Sequence, residues 1–469
     1  MKKTKIICSI GPVSCEPDIM EKMVLAGMNV GRINFSHATL EEKVSAVNTI
    51  KEVRKRTGSN VAILYDTKGP DLRTCNFEND KIELIDGENI RIVKDDIIGT
   101  KEQITLNFKE VISNLKKGDN VLLDDGLLTL EVISVEEDGV TCKIIHGGVI
   151  KSRRGTAVPG VDLGMPFLSE QDKEDIIYAC NHEGDFLALS FVTCAQDVLE
   201  VKEILKSQNR EDLQIIAKIE SKTAIKNLDE IIAVSEGIMV ARGDLGVEVP
   251  MAELPILQKL MVQKAREQGK TCVVATEMLA SMYESARPTR AEVSDIANAV
   301  FDGTDAIMLS GETTIGKHPI DAVKFMAEIA ENAEKHSDFE AMFGSNRELD
   351  VTEVIADSVV YASNLIDAKL IVAATISGYT AKKISNLKPN ALILAGCPNE
   401  KIANSLALNY GVYSTYVPEY GSTDEVLNDA KQKAMNFMNL NEGDKIVITG
   451  GFPKNSVQGT TNLMKIETI

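Results

Sequence analysis

The chain has 469 residues, of which 44% are hydrophobic and 26% charged, the profile of an ordinary globular protein. Acidic residues outnumber basic ones by 70 to 51, and the formal charge of −19 has the wrong sign for a general nucleic-acid binder or for a protein held on anionic lipid. We therefore expect roughly two to four folded domains, with neither nucleic acid nor a membrane among the partners.

The N-terminal segment and the cysteines predict a cytoplasmic protein. The opening residues Met1–Ile10 carry lysines, but Gly11 and Pro12 cut the apolar stretch short, so the segment resembles a first strand more than a signal peptide. The eight cysteines form no Cys-x-x-Cys pair, which is typical of reduced thiols in the cytosol. No apolar run approaches the ~20 residues that a membrane span needs.

A series of short apolar runs, each ending in polar residues, predicts the strands of a parallel sheet. Stretches with helical periodicity separate most of them, for example Leu40–Lys55 and Arg290–Phe301. About eight such units in succession predict a (β/α)8 TIM barrel. The runs are Thr4–Ile10, Asn29–Phe35, Val61–Asp66, Asp185–Val192, Leu213–Glu220, Gly237–Leu245, Thr271–Met278 and Ala306–Thr313.

Two departures from this rhythm predict further domains. Between Pro70 and Pro166 the helical pattern gives way to alternating segments separated by Asp-Gly turns, which predicts an inserted small β-barrel domain that acts as a lid. After about residue 345 a second α/β rhythm begins. The predicted division is therefore 1–69 and 167–345 for the TIM-barrel catalytic domain, 70–166 for the inserted lid, and 346–469 for a C-terminal α/β regulatory domain.

The polar residues at the strand ends are the candidate functional residues, because the active site of such a barrel lies at the carboxyl ends of its strands. Lys218 and Glu220 stand inside an apolar run, where a charge needs a partner or a ligand. Glu220 and Asp244 suit a hard cation such as Mg²⁺, and Arg32 and Lys218 suit an anionic, phosphorylated substrate. The other strand-end residues are Ser9, Asn34, Ser36, Asp66, Thr67, Lys68, Ser190, Arg242, Thr276, Ser310 and Glu312.

Several sequence strings, in order along essentially the whole chain, resemble the pyruvate kinase family. Gly27–His37 resembles the second-strand motif of the family, Asp66–Pro70 the third, and Ile238–Glu248 the sixth. The most specific string is RPTRAEVSDIANAVFDGTDAIMLSGET, from Arg287 to Thr313. The resemblance implies transfer of a phosphoryl group between phosphoenolpyruvate and ADP, with pyruvate and ATP as products.

The resemblance also implies roles for individual residues around the substrate. Arg32 would hold the phosphoryl group, and Lys218 would neutralise charge as the enolate leaves. Mg²⁺ (or Mn²⁺) would be bound by Glu220 and Asp244 and would bridge the enolate oxygen and the phosphate. The amides of Gly243 and Asp244, with the Thr276 hydroxyl, would receive the substrate carboxylate, and Ser310 and Glu312 would lie near the water that relays a proton.

A potassium site and nucleotide contacts follow from the same resemblance. Asn34, Ser36, Asp66 and Thr67 match the K⁺ site of the family. Arg73 and Arg154 match positions that meet the nucleotide phosphates, with Asn34 and His37 nearby. The family pattern is not followed at Asp71, Thr193, Ser221, Lys222 and Glu277, which puts kinetic constants and ion dependence in question but not the reaction class.

The C-terminal domain is expected to bind a phosphorylated allosteric effector. Thr375, Ser377, Gly378 and Thr380 resemble the family's effector phosphate loop, at which the N-terminus of a helix can hold an anion. A second segment, Ser456–Asn462, is expected to contribute. Tyr379 replaces the basic residue typical of members that bind fructose 1,6-bisphosphate, so we expect a sugar monophosphate or AMP. The chain ends at Ile469, without the extra C-terminal domain of some bacterial relatives, and the resemblance implies a homotetramer.

Two other functions remain open at this point. Another Mg²⁺-dependent barrel enzyme of pyruvate or phosphoenolpyruvate, a lyase or a mutase, would explain Glu220 and Asp244 but not an inserted domain carrying Arg154. A non-catalytic metabolite sensor would be expected to have lost at least one of Lys218, Glu220 and Asp244, and all three are present.

Overall fold

The computed structural model of the protein describes residues 1–36, 38–161, 163–337, 339, 350–451 and 461–469. The chain begins with two strand–helix units and a third strand. Helix α2 begins at a capping box in which Thr39 and Glu42 satisfy each other's backbone N–H groups, and it ends at Gly58 in the left-handed region. The elements are β1 (Lys5–Ser9), α1 (Pro17–Ala26), β2 (Val30–Asn34), α2 (Leu40–Thr57) and β3 (Ala62–Asp66).

The inserted domain follows β3 and is built almost entirely of strands. Its main sheet has the order β11-β7-β8-β9-β5-β6, and β10 pairs with β4 in a separate ribbon. Single bridges from Arg73 to Gly155, beside β11, and from Thr74 to Leu106, beyond β6, connect the two edges of the main sheet, as expected for a small barrel. A short helix also lies in this region, where the sequence showed no helical pattern. The elements are β4 (Lys81–Leu84), β5 (Asn89–Val93), β6 (Gln103–Ile104), α3 (Glu110–Asn114), β7 (Asn120–Leu123), β8 (Leu128–Glu136), β9 (Gly139–His146), β10 (Gly148–Lys151) and β11 (Thr156–Ala157), with a 3₁₀ turn at Glu78–Asp80.

The remaining five strands of the barrel come after the insertion. Two of the predicted apolar strands end earlier than expected, because short helices follow directly after Ala241 and after Ser310. The elements are α4 (Glu170–Asn181), β12 (Phe186–Leu189), α5 (Ala195–Ser207), β13 (Gln214–Ile219), α6 (Lys222–Lys226), α7 (Leu228–Val234), β14 (Gly237–Ala241), α8 (Arg242–Glu248), α9 (Leu254–Glu267), β15 (Thr271–Ala275), α10 (Arg290–Asp302), β16 (Ala306–Leu309), α11 (Gly311–Thr314) and α12 (Pro319–Glu334), with a 3₁₀ turn at Ala280–Tyr283.

The barrel strands close in the order β1-β16-β15-β14-β13-β12-β3-β2, all parallel. One set of side chains fills the interior, including Leu64, Phe186, Ile216 and Met308. The alternate set packs against the surrounding helices. Because all eight carboxyl ends open on one side, polar residues from distant parts of the chain meet there, and we call that side the mouth.

The C-terminal domain is a five-stranded sheet with helices packed on it. Its strand order is β19-β18-β17-β20-β21, parallel except for the last pair, and the antiparallel β21 was not predicted from the sequence. The elements are α13 (Val351–Leu365), β17 (Leu370–Ala374), α14 (Tyr379–Asn386), β18 (Leu392–Cys397), α15 (Glu400–Asn404), β19 (Val412–Tyr416), α16 (Thr423–Phe437), β20 (Lys445–Gly450) and β21 (Leu463–Thr468).

The C-terminal domain covers the end of the barrel opposite the mouth, which we call the floor. Leu408 is 1% exposed and packs into the interior cluster of the barrel. Lys382 of α14 donates a hydrogen bond of 2.6 Å to the Gln214 side chain at the start of β13, and Gln214 donates one of 2.7 Å to the Ser405 carbonyl. The two domains therefore share a packed interface beneath the barrel.

In the parts of the chain that the structure describes, no helix combines the length and the apolar character that crossing a membrane requires.

Candidate active site

Lys218 and Glu220 lie at the mouth on the same side of β13, as expected for residues two apart on a strand. The Lys218 ammonium donates to Ser190 Oγ at 2.7 Å and to Asp66 Oδ1 at 3.3 Å, and it lies 3.0 Å from Glu220 Oε1. Burial acts to lower the pKa of Lys218, but Asp66 and Glu220 outweigh it and raise this pKa above its usual value. The lysine therefore remains a cation.

Glu220 is the residue of this group that has a carboxylate oxygen without an aligned hydrogen-bond donor. Its side chain is 1% exposed, and Oε2 accepts a hydrogen bond of 2.6 Å from the Phe191 N–H. Oε1 is buried without an aligned hydrogen bond, even though the Lys218 ammonium is near. Burial, reinforced by Asp244, raises the pKa of Glu220 to about 7 against the opposing influence of Lys218. An orphaned buried carboxylate oxygen of this kind suits a metal cation.

Arg32 and Asp66 form the adjacent ion pair, on the neighbouring strands β2 and β3. The Arg32 Nε donates to Asp66 Oδ2 at 2.6 Å, and its Nη1 donates to Ser9 Oγ at 2.8 Å. Burial alone would raise the pKa of Asp66, but Arg32 and Lys218 hold it below its usual value. Arg32 and Lys218 thus stand on either side of the Asp66 carboxylate, with Glu220 also beside Lys218, so two fixed cations lie where an anionic substrate would enter.

The Thr276 hydroxyl and the start of α8 are brought together as predicted, but they already bond to each other. The Gly243 N–H donates to Thr276 Oγ1 at 2.8 Å. Thr276 has a φ of 73°, a left-handed conformation that is costly for a β-branched residue. Arg242 maintains it: its Nη2 donates to the Thr276 carbonyl at 2.7 Å, and its Nη1 lies 2.7 Å from Asp295 Oδ1. Arg242 thus bonds to the Thr276 carbonyl and to Asp295 and does not line the mouth cavity.

The Glu312 carboxylate accepts hydrogen bonds from two backbone N–H groups. Its two carboxylate oxygens accept from the Leu279 N–H at 3.1 Å and from the Ser310 N–H at 2.8 Å. Glu312 is 1% exposed, whereas Ser310 is half-buried at the mouth. Glu312 therefore holds the end of β16 in place, and of the two residues expected near the proton relay, Ser310 is the more accessible.

The potassium candidates lie at the ends of β2 and β3. Asn34 and Asp66 are partners in the register of the two strands. Ser36 donates its N–H to Asn34 Oδ1 at 3.0 Å. The Thr67 carbonyl accepts a hydrogen bond of 2.7 Å from Ser190 Oγ. His37, which was expected near the nucleotide, lies outside the described residues.

A cavity of about 440 Å³ lies at the floor and a second of about 730 Å³ lies between the inserted domain and the mouth. The second is lined by Glu220 and Asp244 from the barrel and by Arg73 and Arg154 from the inserted side. Arg73 is paired with Asp71, and Arg154 Nε lies 3.5 Å from Asp124 Oδ1. Both arginine side chains are more than one third exposed, so they are available to a ligand that enters this cavity.

The effector candidates are partly used within the C-terminal domain. Thr375 Oγ1 accepts from the Gly378 N–H at 2.9 Å, and Thr380 Oγ1 lies 2.6 Å from Thr461 Oγ1. Ser377 is half-buried on the same loop before α14. The Tyr379 hydroxyl donates to Asp350 at 2.9 Å. Of the second expected segment, only Thr461 and Asn462 are described.

Ser190, one of the strand-end candidates, lies at the mouth directly after β12 and contacts Lys218. Two neighbours that the sequence reasoning did not select, Asp125 and Glu248, line the mouth cavity. Asp125 has a φ of 56° in an Asp-Asp-Gly turn, a conformation that a sequence does not reveal.

Two family models and several known proteins match the chain. Residues 1–323 match the pyruvate kinase barrel domain, and residues 353–467 match the pyruvate kinase alpha/beta domain. The pyruvate kinase of Clostridium perfringens is 42% identical over 475 residues, with both chains covered in full. That of Geobacillus stearothermophilus is 44% identical over 473 residues, covering all of this chain and 80% of its own. The crystal structure of a pyruvate kinase from Cryptosporidium parvum has 35% identity and a TM-score of 0.94, covering 100% of this chain and 96% of that one.

Proposed function

Because this chain belongs to the pyruvate kinase family, we propose that the residues at the barrel mouth carry out the reaction of that family. The enzyme is a phosphotransferase, and the reaction is the glycolytic transfer of the phosphoryl group of phosphoenolpyruvate to ADP, which yields pyruvate and ATP. The observation that carries the assignment to these residues is Glu220, which lines the mouth cavity and whose buried Oε1 has no aligned hydrogen-bond donor although the Lys218 ammonium lies 3.0 Å away.

The family requires a divalent cation, and we propose Mg²⁺ (or Mn²⁺) held by Glu220 and Asp244. Both are carboxylates on the cavity wall, and burial, with a smaller contribution from the Asp244 charge, raises the pKa of Glu220 to about 7. No three His, Cys, Asp or Glu side chains converge on a metal position among the described residues, so two carboxylates would leave the other positions to water and substrate oxygens. When bound by these two carboxylates, the cation would supply positive charge that offsets the negative charge of the phosphoryl group and of the enolate.

Lys218 and Arg32 supply fixed positive charge in the proposed mechanism. Phosphoryl transfer needs positioning and charge neutralisation more than a covalent intermediate, so no nucleophilic side chain is required. Lys218 stabilises the negative charge that develops on the departing enolate, because its ammonium is held in place by Ser190 and Asp66. Arg32 binds the phosphoryl group from the neighbouring strand.

The substrate carboxylate is proposed to bind at the Thr276 hydroxyl and the amides of Gly243 and Asp244. In the present structure the Gly243 N–H and the Thr276 hydroxyl bond to each other, and the carboxylate would take over both groups. An anion at these amides also benefits from the start of α8. We further propose that Ser310 delivers or relays the proton to the enolate carbon.

We propose K⁺ as a second ion, bound by oxygen atoms of Asn34, Ser36, Asp66 and Thr67. Arg73 and Arg154, with Asn34, are proposed to contact the ADP phosphates across the mouth cavity. Asp71 keeps the negative sign that accompanies K⁺ dependence in the family, so activity should require a monovalent cation. Assays in which tetramethylammonium replaces K⁺ test this point, and equal rates in the two buffers would contradict it.

The decisive test of the site is Glu220→Gln, which keeps the size of the side chain and removes its charge. We expect ADP-dependent formation of pyruvate and ATP to fall by about 10²–10³-fold or more, as for the loss of one preorganised charge-stabilising group. Mn²⁺ binding should weaken in parallel. The matched control is Glu277→Gln, an exposed carboxylate next to Thr276, which should leave both quantities within about twofold. Unchanged Mn²⁺ binding in Glu220→Gln would remove the metal assignment.

The proposed regulatory site is the loop before α14, with Thr375, Ser377, Gly378 and Thr380 holding the phosphate of a monophosphate effector. The hydroxyls of Thr375 and Thr380 would have to give up their present bonds to Gly378 and Thr461. Saturation curves for phosphoenolpyruvate with sugar monophosphates or AMP, in wild type and in Thr375→Ala/Ser377→Ala/Thr380→Ala, test this. A triple variant that responds as wild type does would place the site elsewhere.

We also propose a homotetramer located in the cytoplasm, in keeping with the family and with the reduced use of cysteine. The proposed domains are 1–69 with 167–345, 70–166, and 346–469. The hydrophobic clusters support this division, since separate ones lie in the barrel, in the inserted region and in the C-terminal region. The boundary near residue 345 lies outside the described residues. Light scattering at several protein concentrations tests the tetramer.

A further inference from the structure

The segment that follows β3 begins with Thr67, one of the proposed K⁺ ligands, and continues with two residues whose side chains cannot anchor it. Lys68 is exposed, and Gly69 is buried but has no side chain. Gly69 has a φ of 67°, in a region that glycine adopts readily and other residues adopt at a cost. The position of Lys68 and Gly69 therefore depends on contacts made by their backbone.

The residue that follows β12 holds Thr67 from one side. Ser190 Oγ donates to the Thr67 carbonyl at 2.7 Å, and the Ser190 N–H donates to Thr67 Oγ1 at 3.2 Å. Both residues are buried. A carbonyl oxygen has two lone pairs, so the Thr67 carbonyl has one left for a cation. This arrangement fits the proposed K⁺ site, because backbone carbonyl oxygens are ligands that K⁺ takes in place of its water.

Gly69 packs directly against the same serine. A methyl group added at Gly69 would lie 2.8 Å from the Ser190 carbonyl oxygen and 3.0 Å from Ser190 Cβ. Contacts this close leave no space between the two residues. A shift of Gly69 therefore either moves Ser190 or opens a gap beside it, and Ser190 is the residue that orients the Thr67 carbonyl.

Asp172, in the first turn of α4, holds Gly69 in this position. The Gly69 N–H donates to Asp172 Oδ1 at 3.0 Å, and Asp172 is 2% exposed. The other oxygen serves the helix, since Oδ2 accepts from the Ser169 N–H at 3.1 Å and from the Ser169 hydroxyl at 2.5 Å. The start of a helix also favours an anion. One carboxylate oxygen thus caps α4, and the other holds the segment after β3.

We propose that Asp172 is a positioning residue for the monovalent cation, on which it acts through Gly69 and Ser190. The proposal rests on the K⁺ assignment above and adds a residue that does not touch the ion. Without its acceptor, the Gly69 N–H moves away from Ser190, and the Thr67 carbonyl loses its fixed direction. The cost of restoring that direction is then subtracted from the free energy of cation binding, so the affinity falls.

The other half of the proposed site is held by different contacts. Asn34 and Ser36 flank Phe35, whose ring is stacked on that of Tyr65 with the centroids 5.1 Å apart. The Phe35 N–H also donates to the Asp66 carbonyl at 2.9 Å. Loss of the Asp172 side chain should therefore disturb the Thr67 side of the site alone, and we expect weaker cation binding rather than none.

Binding of Tl⁺, a substitute for K⁺ of similar size, tests the proposal in the full chain without substrates. Broadening of the thallium-205 NMR line, reversed by K⁺, gives the dissociation constant. We expect Asp172→Ala to raise this constant about tenfold, the effect of leaving one buried N–H without its acceptor. Asp172→Asn keeps a carbonyl oxygen for the Gly69 N–H and should stay within about threefold of wild type.

The rate of pyruvate formation gives a second measurement. In Asp172→Ala the K⁺ concentration for half-maximal rate should rise in parallel with the Tl⁺ dissociation constant. The kcat at saturating K⁺ should stay within about threefold of wild type, because the bound cation restores the direction of the carbonyl. A general structural defect would instead lower kcat at every K⁺ concentration.

The matched control is Ser169→Ala, which removes the capping partner of Oδ2 and keeps the bond to Gly69. It should lower the Tm and leave the Tl⁺ dissociation constant within about twofold of wild type. If Asp172→Ala does not fold, Asp172→Ser replaces it, because the serine hydroxyl ends one bond short of the position of Oδ1. We expect the same loss of Tl⁺ affinity in Asp172→Ser.

The outcomes separate this proposal from the K⁺ assignment. Wild-type Tl⁺ affinity in Asp172→Ala and Asp172→Ser would overturn the positioning role and leave the K⁺ site standing. An equal loss of affinity in Ser169→Ala would show that Asp172 acts as a helix cap, and this too would overturn the role. If K⁺ does not displace Tl⁺ from the wild-type protein, the K⁺ assignment fails, and the positioning role fails with it.

Discussion

The mouth and the floor of the barrel both hold buried charges, and only one of them forms a candidate active site. At the floor, the Lys388 ammonium pairs with Asp305 and lies 4.2 Å from the centre of the Tyr410 ring. Lys5 donates to the Val412 carbonyl and lies 4.1 Å from the centre of the Tyr413 ring. These cations have partners within the protein, and the C-terminal domain covers them.

At the mouth, charged residues of the same kinds lack some of their hydrogen-bond partners or are partly exposed. Glu220 Oε1 lacks an aligned donor, Arg73 and Arg154 are partly exposed, and all three line a cavity of about 730 Å³. The floor cavity of about 440 Å³ is lined by Lys2 and Lys5, whose ammonium groups are already engaged. Both ends of the barrel therefore bury charged side chains. The mouth differs because some of its charged groups lack a full set of partners within the protein and line a cavity.

The strongest test of this difference is Lys218→Met at the mouth. We expect kcat to fall by about 10³-fold or more, because the proposed mechanism loses the fixed positive charge that stabilises the enolate. Circular dichroism should show a folded protein, and Mn²⁺ should still bind, since Glu220 and Asp244 remain. A rate within tenfold of wild type would show that this lysine is a structural ion pair like those of the floor.

The floor counterpart is Lys388→Met. Asp305 would be left buried without its cation, and we expect the free energy of unfolding to fall by about 3–5 kcal/mol. The kcat of the protein that remains folded should stay within about twofold of wild type. Denaturant unfolding and single-temperature kinetics measure the two effects. A large loss of kcat with normal stability would break the distinction between the two ends.

A pH experiment on Lys2 sharpens the floor side of the comparison. Burial lowers the pKa of Lys2 to about 8, and Glu334 only partly offsets it. Between pH 8 and the unfolded value of 10.5 the unfolded chain binds more protons, so stability rises with pH in this window, by at most about 3 kcal/mol. Lys2→Met should lack this rise. Parallel stability curves for the two proteins from pH 7 to 10.5 would contradict the prediction.

The smallest expected effect concerns packing at the rim of the mouth. A Cβ at Gly311 would lie 2.1 Å from the Tyr283 hydroxyl oxygen, so Gly311→Ala should destabilise the protein by about 1–3 kcal/mol. In a Tyr283→Ser background the same change should cost less. A double-mutant cycle in denaturant measures this coupling. Equal costs in both backgrounds would show that the rim accommodates the methyl group elsewhere.

The order of the barrel strands and the pairing of Lys218 with Glu220 were predictable, because strand periodicity and strand order determine which residues share an end. The two short helices after Ala241 and Ser310 were not, since an apolar run followed by Gly-Asp or Gly-Glu fits either continuation. The partners of Arg242 were hidden for a different reason. A charged residue at a strand end looks the same whether it faces the cavity or, as here, holds the Thr276 carbonyl.

The burial of charged residues at the floor was also not predictable from the sequence. Lys2 and Lys5 look like an ordinary basic N-terminus in the sequence, and only the tertiary structure places them beneath the barrel. The left-handed conformations of Phe191 and Thr276 are also absent from any sequence pattern, because surrounding contacts impose them.

Strand β13 has a mechanical consequence for regulation. Its first residue, Gln214, bonds to Lys382 of α14, and its fifth, Lys218, contacts the mouth residues. The distance between them is about 13 Å, since a parallel strand rises about 3.3 Å per residue. No loop interrupts this path, and neighbouring strands brace it on both sides. A displacement of α14 would therefore reach Lys218 through one uninterrupted strand, whichever ligand of the C-terminal domain caused it.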